Sequence, residues 1–207
     1  MWIRTVFALG LVALLSGCAT LDRDECLAAD WYLLGFSDAA AGHGAQRIDD
    51  HRSACAEHGV IPILDDYLVG HEQGKRKFCT WEKGYSIGRN GDGLNPICDG
   101  DLKYDFQSGY DAGRGVYRQA LEVTAQERAL EQLREDRRQA RLDIVDKENQ
   151  LLADGLDRNQ RYNLLREIDA LDDRLDEYED QIPQRKRQLE EERRYLQLLE
   201  QEARASR

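Results

Sequence analysis

Between Leu164 and Ala203 the apolar residues fall alternately four and three apart. They are Leu164, Ile168, Leu171, Leu175, Tyr178 and Ile182, followed in the same register by Leu189, Leu196, Leu199 and Ala203. Such steps hold one stripe on a single side of an α-helix, and over about six heptads they specify a coiled coil. A looser stripe precedes it, made of Leu130, Leu133, Ala140, Ile144 and Leu151 and interrupted by Arg137 and Lys147. Asp154-Gly155 separates the two stripes and predicts a turn, so residues 119–207 read as an antiparallel helical hairpin. An arm of about thirty residues would reach roughly 45 Å at 1.5 Å per residue. Pro183 lacks an N–H and crowds the preceding turn, so it is expected to kink or interrupt the second arm. The stripes fit arms that pack within one chain and equally an arm offered, over residues 120–204, to another copy or a protein partner.

The first half follows a different grammar. Four times an aromatic is followed by Gly three residues on, by an aromatic or His four on, and by Gly or Ala seven on. The copies are Tyr32/Gly35/Phe36/Ala39, Tyr67/Gly70/His71/Gly74, Trp81/Gly84/Tyr85/Gly88 and Phe106/Gly109/Tyr110/Gly113. Positions i, i+3, i+4 and i+7 share one helical face. Glycine costs a helix about 1 kcal/mol against alanine, so its recurrence on one face needs a return, which close backbone approach of a neighbouring helix supplies. The expected fold is all-α, with a small helical domain whose core is these faces, followed by the hairpin. A competing reading sets the glycines in turns between short strands. Loops are marked by His43-Gly44, Gly59 to Pro62, and Asn90 to Pro96.

The N-terminus carries Arg4, the apolar run Val6 to Leu15, and Ser16-Gly17 directly ahead of Cys18. Ten apolar residues are too few to span a bilayer, and the pattern is that of a secretory signal. Leu15-Ser16-Gly17-Cys18 resembles the lipobox of bacterial lipoproteins. The resemblance implies cleavage between Gly17 and Cys18, fatty acylation of Cys18, and a chain anchored to a membrane without spanning it. The alternative is an ordinary signal peptide with a chance cysteine. Ala19 stands where an aspartate would favour inner-membrane retention in such lipoproteins, which leans toward the inner leaflet of the outer membrane, facing the periplasm. The expected divisions are residues 1–17 as signal, 18–25 as lipidated N-terminus and short linker, 26–118 as the Cys/Gly/aromatic domain and 119–207 as the hairpin.

Beyond Cys18 the cysteines are Cys26, Cys55, Cys79 and Cys98. An even number in an exported chain reads as two disulfides with three connectivities, of which Cys26 with Cys55 and Cys79 with Cys98 close the shorter loops. Net charge is -11, which argues against nucleic acid because phosphates would be repelled.

Other apparent chemistry is weaker. Gly84-Tyr85-Ser86-Ile87-Gly88 spells the nucleophile elbow of hydrolases, but His43, His51, His58 and His71 all precede Ser86, against the required order. His51, Cys55 and His58 share a helical face with zinc-ligand character, which a disulfide at Cys55 would remove. Asp92, Asp99 and Asp101 lack calcium-loop spacing. No cofactor, metal or catalytic constellation is therefore expected. The rivals are a binding module in which Trp31, Tyr32, His71, Trp81 and Tyr85 line a cleft, and a metal-dependent envelope enzyme using His51, His58 or His71.

Several of these residues also form a pattern. Asp30-Trp31-Tyr32 with Gly35 and Asp38, His51 with Cys55 and Gly59, Tyr67 with Gly70 and Gly74, and Phe78-Cys79 come first. Gly84-Tyr85 with Gly88 and Gly91, Cys98, and Phe106 with Tyr110 and Gly113 follow. From Cys26 to Tyr117 the chain resembles an uncharacterised family of Gram-negative lipoproteins, the domain of unknown function 2799 type. Ala39, in place of a usual glycine, and Leu94 to Ile97 depart from it. The resemblance implies location and fold and brings no activity.

Overall fold

The computed structural model describes residues 20–206. The signal region, Gly17 and Cys18 lie outside the described residues. Seven α-helices follow one another: α1 (Arg23–Leu27), α2 (Trp31–Ala41), α3 (Arg47–Ala56), α4 (Leu64–Phe78), α5 (Trp81–Asn90), α6 (Lys103–Leu151) and α7 (Arg158–Ala205), with a 3-10 turn at Gly100–Leu102 ahead of α6. The described residues contain no strand, so the turn-and-strand reading of the glycines is overturned, and all four copies of the repeat lie inside helices.

Two compact units divide the chain at places that composition did not mark. The first holds residues 20–79 and 95–102, the second residues 80–94 and 103–206. The change of composition near residue 118 falls inside α6, which runs unbroken for 49 residues. Copies one and two of the repeat belong to the first unit, and copies three and four belong with the hairpin to the second. Nor do residues 20–25 form a linker. Leu21 is buried in the same cluster as Cys26, Trp31, Ile48, Cys55 and Tyr67.

In the first unit α2 begins at Asp30, whose carboxylate accepts from the Leu33 N–H at 3.0 Å, and ends at Gly42 with φ 92°. It packs on α4 glycine against carbonyl. A Cβ on Gly35 would stand 2.0 Å from the Tyr67 carbonyl oxygen, and one on Gly70 would stand 1.9 Å from that of Tyr32. One turn on, a Cβ on Gly74 would lie 2.2 Å from the Phe36 oxygen. Because the partner's number rises as the glycine's does, the two helices run parallel, and α3 is the return stroke between them. Ala39 fits this seam because Gly74 faces it: a Cβ on Gly74 would meet the Ala39 methyl at 2.9 Å. Cys26 is bonded to Cys55, and Cys79 to Cys98. The first bond ties α1 to α3, and the second holds the 95–102 segment to the end of α4.

The second unit repeats the device. Gly84 and Gly88 of α5 lie against the carbonyls of Phe106 and Tyr110, and Gly109 and Gly113 of α6 against those of Trp81 and Tyr85. Thr80 caps α5 at its start and Gly91, φ 83°, closes it.

Beyond this pair α6 continues as one arm of a hairpin, turns at Gly155 with φ 87°, and returns as α7 behind an Asp157/Gln160 capping box. Arg141 pairs with Glu179 at 2.7 Å and Glu127 with Arg193 at 2.6 Å, so one number falls as the other rises and the arms are antiparallel. Val123, Leu130, Ile182 and Leu189 form the seam, with Leu133, Tyr178 and Leu196 beside them. The arms thus pack on each other within the chain. Their helices, 49 and 48 residues long, exceed the expected thirty because α6 also carries the fourth repeat. The end of α7 returns to that repeat, where Ala203 is buried with Tyr85 and Val116. Pro183 does not interrupt α7. Ile182 and Leu189 hold the helix to α6 on either side of it, and both the proline and Glu179, whose carbonyl loses its donor, are exposed residues.

Candidate functional site

Polar groups converge in the first unit around Asp38, on the inner side of α2. Its Oδ2 accepts from the Tyr67 hydroxyl at 2.7 Å and lies 2.7 Å from His51 Nε2. Its Oδ1 lies 3.1 Å from Arg47 Nε, an ion pair without the alignment of a hydrogen bond. His51 Nδ1 meets the Thr20 hydroxyl at 2.9 Å. Both imidazole nitrogens are therefore engaged, one by the carboxylate and one by the Thr20 hydroxyl. A carboxylate set in an apolar cluster needs this company, since an unpaired buried charge is strongly unfavourable. Burial, followed by the hydrogen bond to Asp38, pushes the Tyr67 phenol above its usual range. Four separate segments meet here, so the cluster locks Thr20, α2, α3 and α4 together.

This geometry removes the zinc reading. Cys55 is oxidised to a disulfide with Cys26, and His51 has no nitrogen left for a metal. Among the described residues no group of three His, Cys, Asp or Glu side chains is placed to hold a metal ion. His71 is buried as well. It stacks on Tyr67 with ring centroids 6.0 Å apart and meets the His43 carbonyl through Nε2 at 2.8 Å.

Beside His71 a shallow cleft of about 280 Å³ is lined by Gln46, Leu68, His71, Lys75, Ile97 and Asp99. Lys75 is its one ammonium, 2.7 Å from Asp99 Oδ1 and 2.8 Å from Glu72 Oε1. Burial would pull the Lys75 pKa down, but the two carboxylates outweigh it and raise the value, while the ammonium lowers that of Asp99. A lysine held charged in this way serves as a bolt between α4 and the 95–102 segment, and is not a base or nucleophile.

Gly84-Tyr85-Ser86-Ile87-Gly88 lies within α5, its two glycines taken up by the α5–α6 contact, with no strand before the serine. It has none of the geometry of a nucleophile elbow. The five rings of the cleft reading belong to two units. Trp31 and His71 are in the core of the first, and Tyr32 is partly exposed there. Trp81 and Tyr85 stack at 5.2 Å in the second, with Tyr85 against Val116 and Ala203. In the hairpin, Lys147–Glu167, Arg141–Glu179 and Glu127–Arg193 bridge the arms. Leu142, Val145, Tyr162 and Leu165 are exposed toward the turn.

The sequence reading assigned no role to Asp38, Arg47 or Lys75. The available signal was slight: Asp38 lies one turn after Gly35, at the border of the face that the repeat marks as inner. The repeat is also longer than it first looks. A Cβ on Gly42 would meet the Phe78 ring at 2.4 Å and one on Gly91 the Tyr117 ring at 2.5 Å. Gly42 and Gly91 each stand ten residues after the first aromatic of their copy, and Phe78 and Tyr117 each stand eleven after theirs. Residues 30–79 and 80–118 are thus two versions of one parallel helix pair.

Residues 30–115 match the profile of a family described as a protein of unknown function (DUF2799). No curated protein and no solved structure shows a match to the chain.

Proposed function

We propose that this chain, whose residues 30–115 match the DUF2799 family profile, is a lipoprotein of the outer membrane, acylated on Cys18, facing the periplasm, with a scaffolding or protein-interaction role. The observation that carries this reading is Leu15-Ser16-Gly17-Cys18 behind a short apolar run. The two disulfides fit an oxidising compartment. Buried acyl chains, at roughly 0.8 kcal/mol per CH₂, make such an anchor stable. The interacting element is the hairpin. Forty-eight residues of α7 extend about 72 Å at 1.5 Å per residue, and the exposed apolar residues toward its turn, Leu142, Val145, Tyr162 and Leu165, offer contact to a protein.

The decisive experiment compares the parent with Cys18→Ala in cells given a labelled fatty acid. The parent should take up label, mature and fractionate with the outer membrane, and the variant should do none of these. Identical behaviour of the two chains, with neither labelled, would end the proposal. In-cell crosslinking from Leu142 or Leu165 should then capture a discrete envelope protein, and a hairpin that captures none there would remove the interaction role.

A further inference from the structure

The two long sides of the hairpin are unlike. Glu127 and Arg141 stand two heptads apart on α6, and Glu179 and Arg193 two heptads apart on α7, so the bridges Glu127–Arg193 and Arg141–Glu179 run along one side. Leu165 stands two heptads before Glu179, and Tyr162 one turn before Leu165. Val145 stands one turn after Arg141, and Leu152 a heptad further on, where its N–H still bonds to the Glu148 carbonyl. These four therefore share that side next to the turn, and each is at least 50% exposed. Within the same stretch of both helices the opposite side carries Gln139, Asp143, Gln150, Gln160, Asn163 and Glu167, and no large apolar residue.

The charges of the apolar side are sorted by arm. Farther from the turn α6 carries Arg138 and Arg141, and α7 carries Asp169, Asp172 and Asp176. Arg141 reaches Glu179 and Arg138 reaches Glu135, both as exposed pairs, so little stability is tied up in either. The three aspartates make no ion pair among the described residues. Nearer the turn the signs exchange, with Glu148 on α6 and Arg158 on α7. Arg141 is level with Glu179 and Lys147 with Glu167, so Asp172 and Asp176 fall between those levels, beside the basic strip of the other arm.

We infer that this side docks a second copy of the chain, the two hairpins parallel and turn beside turn. The inference rests on the reading of the hairpin as the interacting element. A two-fold axis parallel to the arms keeps every level and exchanges the arms, so α6 of each copy meets α7 of the other. The four apolar side chains then close on the same four, and Arg138 and Arg141 come over the unpaired Asp172 and Asp176. An axis across the arms sets α6 on α6 and α7 on α7, which either opposes like charges or leaves the charged strips beyond the other copy's turn. Four apolar side chains are few for an interface that must bury roughly 1,000 Å² to be stable. The charges therefore supply direction, and two copies held in one leaflet, which share this parallel orientation, supply the local concentration.

The test uses the full chain expressed in cells, with a benzophenone side chain replacing Leu165 or, on the opposite side, Asn163. After illumination the probe at 165 should give an adduct of twice the chain mass, several-fold above that from the probe at 163, joined within residues 138–152 of the second copy. Asp172→Arg with Asp176→Arg should lower that adduct several-fold, and adding Arg138→Glu with Arg141→Glu should restore it. Equal self-adducts from 165 and 163, an adduct unmoved by the reversal, or a loss that the second pair does not restore would each overturn the inference. Capture of a different protein from 165 overturns it as well but leaves the hairpin its interacting role, whereas capture of nothing ends both.

Discussion

The carbonyl oxygen of Tyr67 occupies the place that a side chain at Gly35 would need, 2.0 Å from where its Cβ would stand. The relation recurs between Gly70 and Tyr32, Gly84 and Phe106, and Gly109 and Trp81. Glycine Cα–H groups thus lie against carbonyls of a parallel neighbour, a weak polar contact that recurs at tight helix crossings. The favourable term is close packing along the whole crossing, and it offsets the poor helix propensity of the glycines.

Two glycines of α6 separate this effect from propensity. A Cβ on Gly113 would meet the Tyr85 carbonyl oxygen at 2.2 Å, whereas one on Gly115 has nothing within 4 Å. Gly113→Ala should destabilise the protein by about 1–3 kcal/mol through overpacking. Gly115→Ala should stabilise it by about 0.5–1 kcal/mol through helix propensity alone. Denaturant unfolding followed by circular dichroism measures both, and equal signs would refute the packing account.

The buried Asp38 cluster has its own hierarchy. Tyr67→Phe removes one hydrogen bond while His51 and Arg47 still hold the carboxylate, so a loss of about 1–2 kcal/mol is expected. Asp38→Ala strands the Tyr67 hydroxyl and His51 together and should cost about 2–4 kcal/mol, with the partly exposed Arg47 contributing little of it. A Tyr67→Phe change more damaging than Asp38→Ala would show that ring packing, not the carboxylate, organises the site.

The raised Tyr67 pKa gives a signed pH dependence. The folded state favours the protonated phenol, so this contribution to stability is fully present below the ordinary tyrosine value near 10. It declines as pH rises beyond that value toward the higher folded one. In ultraviolet titration of the native protein, one of the nine tyrosines should resist ionisation. Tyr67→Phe should abolish that resistant fraction and flatten the alkaline loss of stability, and an unchanged titration curve would exclude the assignment.

Much of this fold could be read from residue spacing, and its failures have physical causes. The stripe from Leu164 to Ala203 foretold the buried or half-buried side of α7, and the four repeats foretold helices meeting through glycine. Periodicity names the face of a helix but not its partner, so the pairing of copy one with two and three with four had no signature. Nor had their parallel course, which depends on α3 and on the 91–102 segment as return connections. Composition put a boundary near residue 118, because residues facing a second glycine helix look unlike those in a leucine seam, yet α6 serves both without a break. Asp38 stood in the family pattern without a role, because its partners His51 and Tyr67 lie 13 and 29 residues away.

Pro183 is where local propensity and tertiary packing oppose each other most directly. Proline in a helix interior costs about 3 kcal/mol relative to alanine, from a lost hydrogen bond and a clash with the preceding turn. Here α7 continues through it, since Ile182 is buried in the seam on one side and Leu189 on the other. The penalty is thus carried by the folded hairpin, and because the ring is exposed, no packing is lost when it is removed. Pro183→Ala should stabilise the hairpin by about 1–3 kcal/mol, the lower end applying where water already relieves the orphaned carbonyl. Hydrogen exchange should show greater protection around residue 183 in the variant. Leu189→Ala, by contrast, opens the seam and should cost about 2–4 kcal/mol. If Pro183→Ala proved neutral or destabilising, the proline would have to be fitted to its site by a feature of α7 other than the seam.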